Sequence, residues 1–555
     1  MQAIQEWQRQ EFMQEAVETQ KISSEQIKLR SSELTIPSEW IKRISLLYLL
    51  IPFLIFCLGY LKMFISLSIA LIFLWLIIKN WSHSIKEGQS CSLSRRNLVF
   101  TFLVVLLWVA LSGIGGFAFQ NIDFHIRNAI FRDLINFDWP VKYYTNPTDP
   151  SIPYILTYYI GFWLPAALVG KIAGWLAANI TLYVWSVLGI LLTLFLLASK
   201  IKLTPTKLAL LFIFFSGMDG LGTLLMVIAI PNTYHQLWPP IFHLEWWMPG
   251  FQYSSFTTQL FWVFNQAIPA WLCMALLYVT GERKIMLLIW SLCCFFAPLP
   301  ALGMFPYVVL KFPKELMDTE NLNARPKMKT ISVFFSRLLQ DVRTLLSIEN
   351  ILGGGLVLGI SLLYFLSNVQ SSNGSASQIQ SVGWILYVIF VLFEGLILWW
   401  IFKDRYKVNL NWYLAGALLI VIPLIKIGNG NDFCMRASIP TLFMLLLWSA
   451  ETLAAPGTRI KAGLILLLCI GAITPIYEIN RSIYRTTSYF FTPPSKVEKL
   501  AGQEVNIYTP TTFEFDHPYT LTADSFKSLG NFDPEQITNF LAKSDHTFFE
   551  TYLLK

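Results

Sequence analysis

Charge is what this chain has least of. Only 14% of its 555 residues are Asp, Glu, Lys or Arg, while 55% are hydrophobic and mean hydropathy is +0.53. Soluble domains carry about 25% charged residues, so a water-soluble enzyme is excluded and a multi-pass membrane protein is implied. The formal net charge of +7 is no nucleic-acid footprint, because the Lys and Arg sit in short links between apolar runs, where they set orientation. No DNA or RNA partner is expected. Cysteine is scarce as well: the seven are mostly inside apolar runs (Cys57, Cys273, Cys293, Cys294, Cys469), lack paired ligand spacing and read as packing. Residues 1–40 are Gln- and Glu-rich and have no apolar core of a signal peptide. "EWQRQEFMQEAVETQ" there reads equally as a helix lying on the inner membrane surface or as a solvated tail. Repeats of solenoid period are missing, and the sole low-complexity tract is "SNVQSSNGSASQ" from Ser367 to Gln378.

What the chain does have is a series of apolar runs of about 17–25 residues, each long enough for a hydrocarbon layer of about 30 Å. They predict crossings at 43–60, 64–80, 98–116, 175–198, 207–230, 258–280, 349–368, 382–402, 411–427, 436–450 and 462–478. Two segments are ambiguous: 153–171, and 285–311, where Pro298 and Pro300 divide an apolar run. The positive-inside rule resolves both. The 79–96 loop, the 200–207 link, the 311–343 loop and "FKDRYK" (Phe402 to Lys407) are basic and belong in the cytoplasm. A crossing at 153–171 would throw Lys200 and Lys202 outside, so that segment is expected to lie in the outer interface. By the same logic 285–311 is expected to be a bent hairpin returning to the side it left. The resulting organisation is a polar cytoplasmic segment (1–42), a transmembrane domain (43–478) with a large first outer loop (117–174), and a small extracytoplasmic C-terminal subdomain (479–555). The fold class is thus all-α and polytopic, in a cell membrane.

Hydropathy leaves unexplained the stretch "NIDFHIRNAIFRDLINFDWPV" (Asn121 to Val141), an ionisable cluster directly after an apolar run. Hydrocarbon does not hold such a cluster cheaply, so it belongs in water or in a polar cavity. Two further outward regions collect ionisable residues, 231–257 and "GNGND" (Gly428 to Asp432).

Asp123, then "NAIFRDLINFDWPV", then "NPTDPSIPYILTYYIGFWLPAALVGKIAG" resembles the first outer loop of the GT-C superfamily of glycosyltransferases. Those polytopic enzymes, among them protein O-mannosyltransferases and lipid A aminoarabinose transferases, take sugar from a polyprenyl-phosphate carrier. The resemblance covers about 55 residues in order, and its interfacial helix falls on the segment that the charge rule had kept from spanning. "FSGMDGLGTLL" (Phe215 to Leu225) is a weaker second match. Many members carry a second acid directly after the first, whereas here Phe124 follows Asp123. The resemblance implies a GT-C-like bundle of about eleven crossings plus a bent hairpin and outer juxtamembrane helices. It also implies a polyprenyl-phosphate-linked sugar donor, with surrounding membrane lipids as partners. The acceptor (glycan, lipid or protein) and any use of a divalent metal ion are left open.

Transfer from such a donor needs an activated acceptor and a cation for the departing phosphate. Asp123 is the candidate general base, the competing role being a helix N-cap. His125 is a candidate second acid/base or metal ligand, or a surface hydrogen-bonding residue. Arg132 and Asp133 are expected to hold the loop together. Asp219, in an apolar run among Gly217, Gly220 and Gly222, is either a site acid or the brace of a kinked helix. Glu245 and His243 in "HLEWWMPG" are candidate site residues beside Trp that otherwise belong to the interfacial aromatic belt. Arg436, with Asp432 four residues before it, is a candidate phosphate ligand or an intrahelical ion pair. Lys142 is a weaker phosphate candidate. A transporter or flippase for a lipid-linked or anionic substrate, and a non-catalytic assembly protein, remain alternatives.

Overall fold

The computed structural model describes residues 33–81, 90–121, 123–143, 154–229, 243–310, 343–368, 383–427, 431–456, 460–491, 540–543 and 547–555. The expected N-terminal tail to residue 32, the 311–342 part of the expected basic loop and most of the expected C-terminal subdomain lie outside these residues. The apolar runs become helices, as backbone groups in hydrocarbon require. In order they are α1 (Ser38–Tyr60), α2 (Met63–Trp81), α3 (Arg95–Leu111), α4 (Asp123–Asn136), α5 (Leu164–Lys200), α6 (Pro205–Phe214), α7 (Asp219–Ala229), α8 (Phe256–Thr280), α9 (Met286–Phe296) and α10 (Pro298–Leu310). They are followed by α11 (Gly355–Leu366), α12 (Trp384–Val391), α13 (Ile397–Ile401), α14 (Leu410–Val421), α15 (Asp432–Ala437), α16 (Ile439–Ala454), α17 (Ile460–Gly471) and α18 (Ile473–Phe491). Among the described residues, eight helical stretches are long and apolar enough to cross a membrane. The chain is a multi-pass, predominantly helical membrane protein.

Contacts sort the helix ends into two groups. At one end Lys79 pairs with Glu349 at 3.1 Å, Lys200 Nζ donates to the Tyr278 carbonyl at 2.6 Å, and the Tyr278 and Tyr406 hydroxyls both donate to Glu451. A two-stranded ribbon, β1 (Glu33–Pro37) on β2 (Ser90–Ser94), flanks the starts of α1 and α3. At the other end the Tyr60 ring meets Trp139 and Tyr364, and the Lys555 amide donates to the Tyr60 carbonyl at 2.8 Å. A small sheet lies there too: β3 (Lys142–Tyr143), β4 (Tyr154–Leu156) and β5 (Leu541–Lys543), with β4 central.

α5 is not one continuous rod. Gly174, at φ 81 and ψ −176, separates Leu164–Ala173 from the rest of the helix. Ten residues reach only about 15 Å and cannot cross a bilayer. They lie instead on α4, where Lys171 Nζ donates to the Phe137 carbonyl and Gly170 admits Ile135. Residues 285–310 do form a bent hairpin. Trp290 and Phe305, on either side of the bend at Ala297, bring their rings to 5.1 Å. Gly303 then lies against the Ala437 carbonyl, and the Tyr307 hydroxyl against Thr441 Oγ1 at 3.1 Å, so α10 runs parallel to α15–α16 toward the Glu451 end. A Cβ on Gly303 would fall within 1.9 Å of that carbonyl.

Three expected crossings differ. α8 turns back on itself at Val263 (φ −139, ψ 36): the Phe256 and Trp271 rings are 5.3 Å apart and Trp271 Nε1 donates to Gln259 Oε1 at 2.9 Å. A straight helix would separate those residues by about 22 Å. The expected 207–230 crossing is interrupted between α6 and α7, where residues 215–218 are non-helical and the Phe256 amide binds the Phe215 carbonyl at 3.3 Å. Finally, α18 runs on to Phe491, past the expected domain boundary at 478, because its polar residues find partners inside the protein.

Candidate active site

After α3 the chain reverses through Gly113, Gly115 and Gly116, all with positive φ. The turn delivers Gln120 and Asn121 into the interior. Gln120 Nε2 donates to the Gly113 carbonyl at 2.8 Å, and its Oε1 accepts from Asn128 at 3.0 Å. Asn121 Nδ2 takes the Phe261 carbonyl at 2.9 Å, beside the kink at Val263, while its Oδ1 accepts the Asp123 amide at 3.1 Å. The start of α4 is therefore tied down by Asn121, which leaves the Asp123 carboxylate for other work.

Asp123 Oδ2 receives Arg127 Nη2 at 2.8 Å, one helical turn on; the Asp123 side chain is 37% exposed and that of Arg127 only 5%. The Arg127 guanidinium lies over Phe124 and Phe264, and its Nη1 is buried with no hydrogen-bond partner among the described residues. On α15, Arg436 makes a close ion pair with Asp432, again with the arginine buried and the acid exposed, at 45%. Its Nε likewise has no hydrogen-bond partner among the described residues. The two pairs meet around the loop that follows β4, where the Tyr158 and Tyr159 rings stand 4.1 Å apart. Burial pushes the Tyr158 phenol up and Tyr159 adds to the shift; the charges of Arg127 and Arg436 oppose it and Asp123 reinforces it. Burial also raises Tyr159, against Arg436 and Arg127. Tyr364 fixes this loop, its hydroxyl donating to the Leu156 carbonyl and accepting from the Tyr158 amide at 3.0 and 3.2 Å. Elsewhere on α8, Asn265 and Gln266 hold buried amide atoms with no hydrogen-bond partner among the described residues.

Asp123, Arg436 and Asp432 are thus brought into one region. Lys142 is exposed on β3, whose partner β4 leads into Tyr158. His125 belongs to the first turns of α4, and its side chain lies outside the described residues.

Asp219, Glu245 and His243 form part of a different assembly, a sealed chain of polar groups. Asp219 begins α7, accepts from Ser216 at 3.0 Å and Thr474 at 3.1 Å, and faces Glu394. Glu394 sits in a π-helical turn (Leu392–Leu396) and accepts from Trp247 Nε1 at 3.1 Å. Gly217 is required here, since a Cβ would fall 2.0 Å from Glu394 Oε2. Glu245 accepts from Gln252 and from the Ser255 amide at 2.9 and 2.8 Å, and stands 3.5 Å from His243 Nε2. His243 Nδ1 meets Glu478 at 2.9 Å; the other Glu478 oxygen accepts from Trp262 and Arg481, both at 3.0 Å. Burial works against a charge on His243, but Glu478 and Glu245 outweigh it and hold its pKa up to about 9. All these acids and the histidine are buried, so their bonds bind the α6–α7 break and the 243–255 loop to α18.

Arg127, Tyr158 and Tyr159 were not singled out from the sequence, nor were Glu394, Glu478 and Arg481. Arg127 was readable as the i+4 partner of Asp123, and Glu394 and Glu478 as lone acids in apolar runs. No group of three or more His, Cys, Asp or Glu that could hold a metal ion converges among the described residues. Family models, curated proteins and solved structures all fail to match the chain.

Proposed function

We propose that the chain is a glycosyltransferase of the GT-C kind in the cell membrane, with its N-terminus cytoplasmic and its site at the outer face. It transfers sugar from a polyprenyl-phosphate-linked donor to an acceptor hydroxyl or amine. The observation that carries this reading is the meeting of two carboxylate–arginine pairs, Asp123–Arg127 and Asp432–Arg436, around one pair of phenols. In both pairs the acid is partly open and the arginine is buried with spare N–H capacity. Such a site suits a base that must be reached by an acceptor and cations that receive a phosphate. The break at Gly174, which rests a short helix on α4, supports the juxtamembrane arrangement that the resemblance implies. A GT-C-like bundle of about eleven crossings belongs to the same proposal.

In this mechanism Asp123 takes the proton of the acceptor as the acceptor heteroatom bonds to the anomeric carbon. The bond from that carbon to the phosphate oxygen breaks, and its electron pair leaves with the phosphate. Arg436 and Arg127 N–H groups neutralise the oxygen charge that develops.

The test is transfer by purified enzyme in lipid nanodiscs, with a radiolabelled polyprenyl-phosphate sugar and a pool of candidate glycan, lipid and protein acceptors. Label should move in the wild type and not in Asp123→Asn, with both proteins melting alike; equal transfer by the two removes the mechanism. The broken α6–α7 pair beside buried acids favours a second reading, a transporter. It predicts donor movement across a vesicle wall without chemical change, which the same labelled donor reports.

A further inference from the structure

The loop that carries Tyr158 and Tyr159 has its backbone bonded by elements from elsewhere in the chain. The Leu156 amide donates to the Val141 carbonyl at 3.1 Å and the Thr157 amide to the Phe540 carbonyl at 2.8 Å, while Asn368 Nδ2 donates to the Thr157 carbonyl at 3.2 Å. None of these bonds reaches Tyr158. Its own amide donates to the Tyr364 hydroxyl at 3.2 Å and has no other acceptor among the described residues. The same hydroxyl shares its one proton between the Leu156 and Tyr158 carbonyls, at 3.0 and 3.2 Å. A single side chain thus grips the backbone on both sides of Thr157.

Tyr364 can do so because its ring is locked. It stands on α11 at 1% exposure, with ring centroids of Phe56 and Tyr60 of α1 at 4.9 and 6.2 Å and that of Phe549 at 5.6 Å. Those contacts are made by ring carbons, so packing alone asks only for phenylalanine. A polar atom carried into an apolar cluster costs free energy unless it is bonded, and here every bond of the hydroxyl goes to the tyrosine loop.

We propose that Tyr364 is a positioning residue for donor binding: its hydroxyl sets the Tyr158 backbone so that the Tyr158 and Tyr159 phenols flank the place where Arg127 and Arg436 would receive the donor phosphate. This role rests on the transferase reading of that site. Asp123 is held separately, its amide by Asn121 and its carboxylate by Arg127. Loss of the Tyr364 hydroxyl should therefore weaken donor binding and leave proton transfer alone.

The experiment is Tyr364→Phe in lipid nanodiscs, with KM for the radiolabelled polyprenyl-phosphate sugar separated from kcat, beside Tyr48→Phe. Tyr48 gives up the same kind of bond, its buried phenol donating to the Trp185 carbonyl at 3.0 Å, but lies about 18 Å along α1 from Tyr60. The two variants should melt alike. Tyr364→Phe should raise KM about tenfold, the order of one lost buried hydrogen bond, with kcat within about twofold, and Tyr48→Phe should move neither. Equal KM in wild type and Tyr364→Phe, or a fall in kcat instead, overturns the positioning role. On the background Y158F/Y159F, Tyr364→Phe should add nothing, and the same rise there overturns action through the phenols. Amide hydrogen exchange across Leu156–Ile160, read without substrate, should quicken in Tyr364→Phe and not in Tyr48→Phe; unchanged exchange overturns the inference even where transfer is found. Quickened exchange in a protein whose wild type transfers nothing fails the transferase reading and leaves the tie between Tyr364 and the loop standing.

Discussion

The region around Tyr158 and the sealed chain of buried acids are built from the same types of side chain in opposite states of exposure. Around Tyr158 each carboxylate is reachable and each arginine is half spent; in the sealed chain every carboxylate is buried, and Glu245 and Glu478 have both oxygens engaged. An acid that must exchange a proton with a substrate needs access, and an acid that holds elements together needs partners. On the proposed function, the difference favours chemistry at Asp123 and cohesion at Asp219, Glu245 and Glu478, although all are acids beside apolar runs in the sequence.

Parallel substitutions break this comparison most sharply. Asp123→Asn should lower transfer by about a thousandfold, within the range for losing a general base, with melting unchanged. Asp219→Asn should lower melting, and the protein that remains folded should still turn over; the reverse pattern would exchange the two roles. Next in size is Glu478→Ala, which leaves His243 and Arg481 buried without their anion. It should cost about 3–5 kcal/mol, read as loss of monodisperse protein or a large fall in melting temperature. The pH dependence sharpens the same point. His243 has its pKa raised from an ordinary 6.5 to about 9 in the folded protein, so its contribution is complete below about pH 6.5 and is lost as pH rises through 9. That is worth about 3 kcal/mol, and melting curves from pH 6 to 10 should show a fall that His243→Gln flattens. Arg436→Ala should weaken donor binding by about tenfold or more, a charged hydrogen bond being worth about 1.5–3 kcal/mol; unchanged affinity reduces Arg436 to the partner of Asp432. Last, Gly174→Ala should cost about 1–3 kcal/mol, since φ 81 with ψ −176 is a backbone conformation open essentially to glycine alone.

Legibility followed the range of the interactions. The hairpin at 285–310 was readable because Pro298 and Pro300 and the flanking charges are local signals, and the short helix before Gly174 because a full crossing would have misplaced Lys200. The reversal of α8 was not, since Val263 is neither Gly nor Pro and the turn is held by Gln259, Trp108 and aromatic contacts from elsewhere. Asp219 stood out as an acid in an apolar run, yet its companion Glu394 and the His243–Glu478 contact join segments remote in sequence, the latter 235 residues apart. Tyr158 carries no local signal in the sequence; its position, within the fields of Arg127 and Arg436, comes from contacts with Tyr364 and Phe540 that lie far along the chain.

The Thr157 amide bonds to the Phe540 carbonyl at 2.8 Å, and β5 lies along β4 through Leu156. The loop bearing the phenols is thereby sewn to a stretch of chain far along the sequence. A force applied to that distant stretch, by an antibody, a fused tag or a bound neighbour, travels through the three residue pairs of the β4–β5 ladder to the tyrosines. On the proposed function, tension there would alter how closely the phenols approach an incoming donor.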